Sequence, residues 1–212
     1  MIQAQALDRS ARHERAKAAR RELILEAARR AFAARGLRGT TIADIAEEAE
    51  IALGTIYLYF PSKEAVFAAL SVHLNELIAT AVFTTPIAVS LEDTIRRKVE
   101  AVFSVCQQNR DLIRLVVLNT DPGSDVTLAL RRAFHEQIQP MVEEAQEAMA
   151  QGYLRAGDAS IMTRLVIGLI SITVYQAFVL ADGEQAAQYA AECVEMICAY
   201  LRPRVEMPEG LA

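Results

Sequence analysis

The chain has 212 residues, is 53% hydrophobic with only six prolines, and carries a formal net charge of −5. That length serves one large or two small domains, and the composition is too apolar for a disordered chain. Its three cysteines, Cys106, Cys193 and Cys198, are odd in number and lack metal spacing, which fits small buried hydrophobes in a reducing compartment and excludes a disulfide framework.

The charge is unevenly placed. Residues 1–63 carry eleven Lys and Arg against eight Asp and Glu, net +3, and residues 64–212 are net −8. A basic head on an acidic body orients a chain on phosphate and holds the body away. The sequence has no convincing alternating strand pattern and no internal repeat, so it reads as all-helical.

Residues 1–20 are polar, with Arg9, Arg12, Arg15, Lys17 and Arg20 spread among alanines; no apolar h-region follows, so they do not read as a signal peptide. They read either as a frayed extension of the first helix or as an arm that orders on DNA and reaches a minor groove. From Arg21 the pattern Ile24, Leu25, Ala28, Phe32 predicts an amphipathic helix ending at Gly36, a C-cap. Two short helices follow. The first runs from Thr41 to about Ala49, with Ile42, Ile45, Ala46 and Ala49 on one face, Thr40 or Thr41 as cap, and Asp44 closing a loose capping box. The second runs from about Leu53 to Tyr59, with Ile56 and Phe60 inward and Leu53, Gly54 and Tyr57 on the opposite side. Helices of about two turns are not stable alone. Packed as a helix-turn-helix, they present the second helix to a DNA major groove.

The run GTIYLYFPSKEAVF, behind TTIADIA, resembles the DNA-binding domain of the tetracycline-repressor (TetR) family of transcriptional regulators, over roughly Ile24 to Leu70. The remaining two thirds of the chain match only in length and helical layout. The resemblance implies phosphate contacts from Thr41, Tyr59 and Lys63, and a face of Leu53, Gly54, Thr55 and Tyr57 turned to bases and nearby backbone. Hydroxyls and an ammonium suit phosphate oxygens, and methyls of Leu53 and Thr55 suit thymine methyls. No Arg, Asn or Gln lies on that face, so DNA shape is expected to carry much of the specificity. Two positions depart from the family pattern. Glu50 stands where Gly is usual, at a cost of roughly 1 kcal/mol if the backbone there is left-handed. Ala52 stands where Ser or Thr is frequent, at a loss of about 1 kcal/mol of N-capping.

Beyond the motif, Ser62 is the expected cap of a helix to about Val82, with Glu64 in its first turn and Val66, Phe67, Leu70, Leu74, Leu77 and Ile78 as apolar residues. After a loop at Thr84–Pro86, a helix from about Ser90 carries Leu91, Ile95, Val99, Val102 and Cys106 on one stripe. Asp111 to about Asn119 is a short apolar segment, and Asp121 to Asp125 is a loop. The next helix, about Val126 to Gln151, has Leu130, Phe134, Ile138, Met141 and Ala145 on one face and an expected kink at Pro140. Gly152 to Gly157 is a turn, and Asp158 caps a helix containing Leu165–Leu180. That 16-residue run is shorter than the ~20 residues of a membrane span and holds Ser171, Thr173, Tyr175 and Gln176, so it reads as a helix buried on several sides. Asp182-Gly183 ends it. The last helix, about Glu184 to Leu201, gathers Tyr189, Ala190, Cys193, Ile197, Tyr200 and Leu201, and Pro203 and Pro208 end the order.

The expected organisation is an arm with a three-helix DNA-binding domain over 1–63, and an effector-binding and dimerisation domain over 64–212, about nine helices in all. The resemblance implies that the last two helices pair with their copies in a homodimer, with Ile172, Cys193, Ile197 and Leu201 at the seam. It also implies an effector pocket among the middle helices, with Phe103, Cys106, Asn109, Leu115, Asn119, Phe134, His135, Ile138, Met141, Tyr175 and Phe178 as candidates. An apolar or amphipathic small molecule is the expected effector, double-stranded operator DNA the expected partner, and repression in the cytoplasm the expected role.

Two other classes compete. A constitutive architectural DNA binder would not need the large second domain. A helical-bundle enzyme would want paired Glu-x-x-His motifs, whereas His13, His73 and His135 are preceded at i−3 by Ser10, Leu70 and Arg132. No P-loop, Gly-x-Ser-x-Gly or Cys-x-x-Cys motif occurs. No catalytic residue, cofactor or metal is expected.

Overall fold

The computed structural model describes residues 2–119 and 125–203, with side chains described for 11–119 and 138–203. The expected loop at Asp121 to Asp125 and the side chains of Phe134, His135 and Pro208 therefore lie largely or wholly outside the described residues. Among the described residues every regular element is helical: α1 (Ile2–Gly39), α2 (Ile42–Glu48), α3 (Leu53–Tyr57), α4 (Lys63–Thr84), α5 (Leu91–Gln108), α6 (Arg110–Asn119), α7 (Asp125–Ala150), α8 (Ala159–Tyr175), a π-helical turn at Gln176–Leu180, and α9 (Ala186–Leu201).

The chain divides into two compact units, residues 1–73 with 115–130, and residues 74–114 with 131–212. The division falls inside α4 and not at the expected 63/64 boundary. In the first unit, α1 packs on α2 and α2 on α3. Ile24, Leu25, Ala28 and Phe32 of α1, Ile45 of α2, Ile56 of α3, and Val66 and Phe67 of α4 are all buried, so the apolar stripes read from the sequence form one core. The helix of α1 begins at Ile2, well ahead of Arg21. Alanine and arginine are strong helix formers, which favours the extension although the described side chains of residues 11–20 are all exposed. Gly36 interrupts α1 with φ 70° and ψ 166°, the expected break at its C-terminal end.

In the second unit α5 packs most extensively on α9, and α8 packs on α9. Val99, Val102, Phe103 and Cys106 meet a core that includes Met162, Phe178, Cys193 and Ile197. The rings of Phe103 and Phe178 stand 5.6 Å apart, tilted by 54°. Burial pushes the Cys106 thiol up to about 12, which makes it an inert packing residue. Helix α7 continues through Pro140.

Two helical stretches, Lys63–Thr84 and Ala159–Leu180, have the length and apolar composition of a bilayer span, each with 22 residues. The second is longer than the 16-residue run suggested, because Ala159–Arg164 precede that run in the same helix. Part of both apolar surfaces is already used: α4 gives Val66, Phe67 and Leu70 to a core, and α8 buries Met162 and Val174. The Ser171 and Thr173 hydroxyls donate to the carbonyls of Ile167 and Leu169, which satisfies them within the helix.

Candidate nucleic-acid interface and effector cavity

Thr41 is the N-cap of α2, with extended backbone angles, and both halves of the capping box form. The Asp44 backbone N–H donates to the Thr41 hydroxyl at 3.2 Å, and the Thr41 backbone N–H donates to the Asp44 carboxylate at 2.7 Å. The Thr41 hydroxyl also donates to Asp44, at 2.8 Å. These Thr41 bonds, and then the Arg35 guanidinium paired with it, hold the Asp44 carboxyl below its usual value. Both donors of Thr41 are thus committed to Asp44. Thr40 is fully buried, its hydroxyl donating to the carbonyls of Ala31 and Gly36.

The turn between α2 and α3 is a Schellman motif. The Ile51 N–H reaches the Ala46 carbonyl at 3.1 Å and the Glu50 N–H reaches the Glu47 carbonyl at 3.0 Å. Glu50 sits at the left-handed position with φ 54°, the conformation that favours glycine. At the start of α3, Ala52 has the extended geometry of an N-cap but makes no side-chain cap bond. Both departures from the family pattern therefore fall where they weaken the local structure.

Helix α3 buries Ile56 completely and leaves Leu53 43% and Tyr57 54% exposed. Gly54 is exposed beside them, and a Cβ built there would meet no atom within 4 Å. Thr55 and Tyr59 are half-buried. The face expected to meet DNA is thus a real outward face of the folded unit, anchored from behind by Ile56 and Phe60.

Lys63 has more structural work than its sequence position suggested. Its ammonium donates to the carbonyls of Leu37, Arg38 and Thr40 at 3.0, 3.3 and 2.9 Å, tying the first turn of α4 to the end of α1. All three of its protons are engaged. Arg38, passed over in the sequence, is exposed two residues before Thr40, with no ion pair among the described residues. An arginine at the close of one helix, just ahead of a helix-turn-helix start, is the signal that could have found it. Ser62 caps α4 through the Ala65 N–H at 3.3 Å.

The second unit encloses a cavity of about 600 Å³, within the usual range for a small-molecule site. Val82, the Ile87–Leu91 segment, and residues of α5, α7, α8 and α9 form its walls. Of the residues expected to line a pocket, Met141 does so. Phe103 and Phe178 border a smaller hollow of about 330 Å³. Cys106, Leu115 and Ile138 are buried, while Asn109 and Asn119 direct their side-chain amides to carbonyls of Val105 and Leu115. Tyr175 is half-buried and lines neither space. The wall instead includes Ile197 and Leu201, which were expected at a subunit seam.

That seam needs correction. Cys193, Ile197 and Leu201 are 1%, 1% and 5% exposed within a single copy, so they have no area left to offer a second one. Their stripe packs inward. Ile172, 50% exposed, remains available, together with Ile161 and Leu165 on α8 and Met196 on α9.

Residues 24–70 match the family described as bacterial regulatory proteins, tetR family. An uncharacterised helix-turn-helix regulator of Bacillus subtilis, YdgC, is 25% identical over 190 residues, covering 87% of this chain and 93% of its own. Among solved structures, GusR of Salmonella enterica superposes with a TM-score of 0.73 at 25% identity, covering 86% of this chain and 95% of that one. FadR of Bacillus subtilis, solved in complex with stearoyl-CoA, has a TM-score of 0.66 at 20% identity, covering 83% and 96%. Residues 24–70 match a TetR-family DNA-binding domain, and over most of its length the chain is similar to regulators that carry one.

Proposed function

We propose that the protein is a dimeric, ligand-responsive repressor that binds a palindromic operator in the cytoplasm and is released by a small apolar or amphipathic effector. The observation that carries the reading is the outward face of α3, where Leu53, Gly54 and Tyr57 stand clear of the core with Ile56 locked behind them. Leu53, Gly54, Thr55 and Tyr57 meet bases and adjoining backbone. Tyr59 and Arg38 hold phosphate, and the charge of Lys63 adds to theirs from its seat on the α1 carbonyls. Thr41 caps α2 first; its hydroxyl proton can turn from Asp44 to a phosphate with the capping box intact, whereas its backbone N–H is held within the box.

Two copies pair through the exposed stripe of α8, Ile161, Leu165, Gly168 and Ile172, with Met196 of α9 beside it. Such apolar area is not left wet in a monomer. The cavity of the second unit supports an effector, and FadR with its bound stearoyl-CoA supports the capacity of this fold to hold one. Val82 of α4 lies on the cavity wall while Val66 and Phe67 of the same helix lie in the DNA-binding core, so α4 is the element through which an effector acts.

The test is selection of bound sequences from random duplex DNA, followed by footprinting. The expected result is a two-fold symmetric site with half-sites about 34–36 Å apart. Recovery of no sequence preference refutes the reading. Effector and operator must then weaken one another by the same factor.

A further inference from the structure

The cavity wall is largely apolar, with Ser90, Thr94, Gln151, Tyr153 and Thr163 among its aliphatic residues and one ion pair set into it. Lys98 of α5 donates to both carboxylate oxygens of Glu144 on α7, at 2.7 and 2.9 Å, and both residues line the cavity. The partners are unequally buried: the Lys98 side chain is 17% exposed and that of Glu144 is 41% exposed. Glu147, the other charged residue on the wall, is exposed.

That inequality decides which charge a ligand can use. The more buried ammonium keeps a counter-charge, because leaving it bare is the costlier outcome. Glu144 reaches water and can turn outward at little cost. An incoming carboxylate can therefore take its place on Lys98, acceptor for acceptor, with the apolar part of the wall receiving the rest of the molecule. An incoming cation would have to draw Glu144 away and strand Lys98. A neutral molecule would leave the pair intact and gain no head contact. Resting on the reading that this cavity holds the effector, we propose that it takes an anionic amphiphile, an elongated apolar body with one carboxylate head, bound by Lys98 in exchange for Glu144. Glu144 is then the resident competitor, and its departure frees α7 from its tie to α5.

The experiment is calorimetric titration of the full chain with dodecanoate, dodecylamine and dodecan-1-ol, and with the eight- and sixteen-carbon members of each series, all below micelle-forming concentrations. Dodecanoate is expected to bind about tenfold tighter than dodecan-1-ol, the worth of one charge-assisted head contact. Lys98→Met is expected to bring the carboxylate down to the alcohol while alcohol binding persists, showing an intact cavity. Glu144→Gln is expected to tighten carboxylate binding several-fold by removing the competitor. A plain α5–α7 tie predicts no such gain, so unchanged or weaker carboxylate binding in Glu144→Gln overturns the proposal, and that variant decides alone if Lys98→Met does not fold. Tighter binding of the amines, equal binding of all three heads, or no binding by any series also overturns it. Operator binding separates this from the regulatory reading. Specific DNA binding without carboxylate selectivity sinks the ligand class alone; carboxylate selectivity without specific DNA binding sinks the regulator alone.

Discussion

Replacing Glu50 by Gly should strengthen the helix-turn-helix. Glu50 holds φ 54° at the end of α2, where an L-residue pays roughly 1–2 kcal/mol for its Cβ. Glycine removes that strain but gives the unfolded chain about 0.4–1 kcal/mol more entropy to lose. The net expectation is a gain of about 0.5–1 kcal/mol. The side chain of Glu50 is exposed and has no ion-pair partner among the described residues, so no packing loss offsets this. The sensitive assay is native-state hydrogen exchange at the Ile51 amide, whose bond to the Ala46 carbonyl closes the turn. Protection should rise about two- to fivefold. Glu50→Gln serves as the control: it removes the charge, keeps the left-handed side chain, and should leave protection unchanged. If Gly and Gln protect the amide equally, the backbone at residue 50 is not strained and the reasoning fails.

Gly54→Ala should raise stability by up to about 1 kcal/mol, since the added Cβ meets nothing in the chain, yet weaken operator binding by blocking close approach; a gel shift at unchanged affinity contradicts the assigned face. Asp44→Asn should be less stable than the parent at pH 7. Because the folded-state value of Asp44 lies below the unfolded ~3.9, its contribution is whole above about pH 4 and is lost as pH falls through the folded value; a gap between the two proteins that persists undiminished to pH 2 contradicts the capping-box account. Lys63→Ala should cost about 1–3 kcal/mol of unit stability, through the carbonyls of Leu37, Arg38 and Thr40, and, since its protons are held there and not by a phosphate, flatten the salt slope of DNA binding by less than about 1 unit. Full thermal stability in that variant would show that the carbonyl bonds contribute nothing. Ile172→Asp should convert a dimer into the 23.3 kDa chain in sedimentation, and persistence of the dimer would place the seam elsewhere.

The parts of this molecule that were legible in the sequence are those decided within a few residues. Thr41 and Asp44 are three apart, and their capping box is a local object. The left-handed turn at Glu50 was signalled by the resemblance alone, since the family usually has Gly at that position. What sequence pattern could not settle is what a buried face is buried against. The stripe Cys193, Ile197, Leu201 is apolar at helical spacing, and the same stripe could serve a partner subunit or the wall of the chain's own cavity; the structure assigns it inward. Lys63 and its carbonyl partners are 23 to 26 residues apart, and Lys98 and Glu144 are 46 apart, so no local rule joins them. The start of the first helix was left open, between an extension of that helix and an arm, for a different reason. Its early residues lack an apolar face, and periodicity is silent where propensity alone sustains a helix.

The weak points of the first unit are concentrated at the element that would touch DNA. Helix α3 has five residues, too few to persist by backbone bonding alone. It begins without a side-chain cap at Ala52, a deficit of about 1 kcal/mol, and follows a left-handed glutamate that costs roughly as much again. Against these stand the full burial of Ile56 and near-full burial of Phe60, each contributing about 1.5–3 kcal/mol. The helix is therefore held by its inner side chains and not by its ends. Its outer residues, Leu53, Gly54 and Tyr57, ride on a backbone with a small margin, and they can adjust to a DNA surface without unfolding the core behind them. A recognition face that reads groove shape more than base edges has use for such latitude, since no Arg, Asn or Gln on it fixes a bidentate geometry. Filling both deficits at once, with Gly at 50 and Ser at 52, would rigidify the reader along with its support.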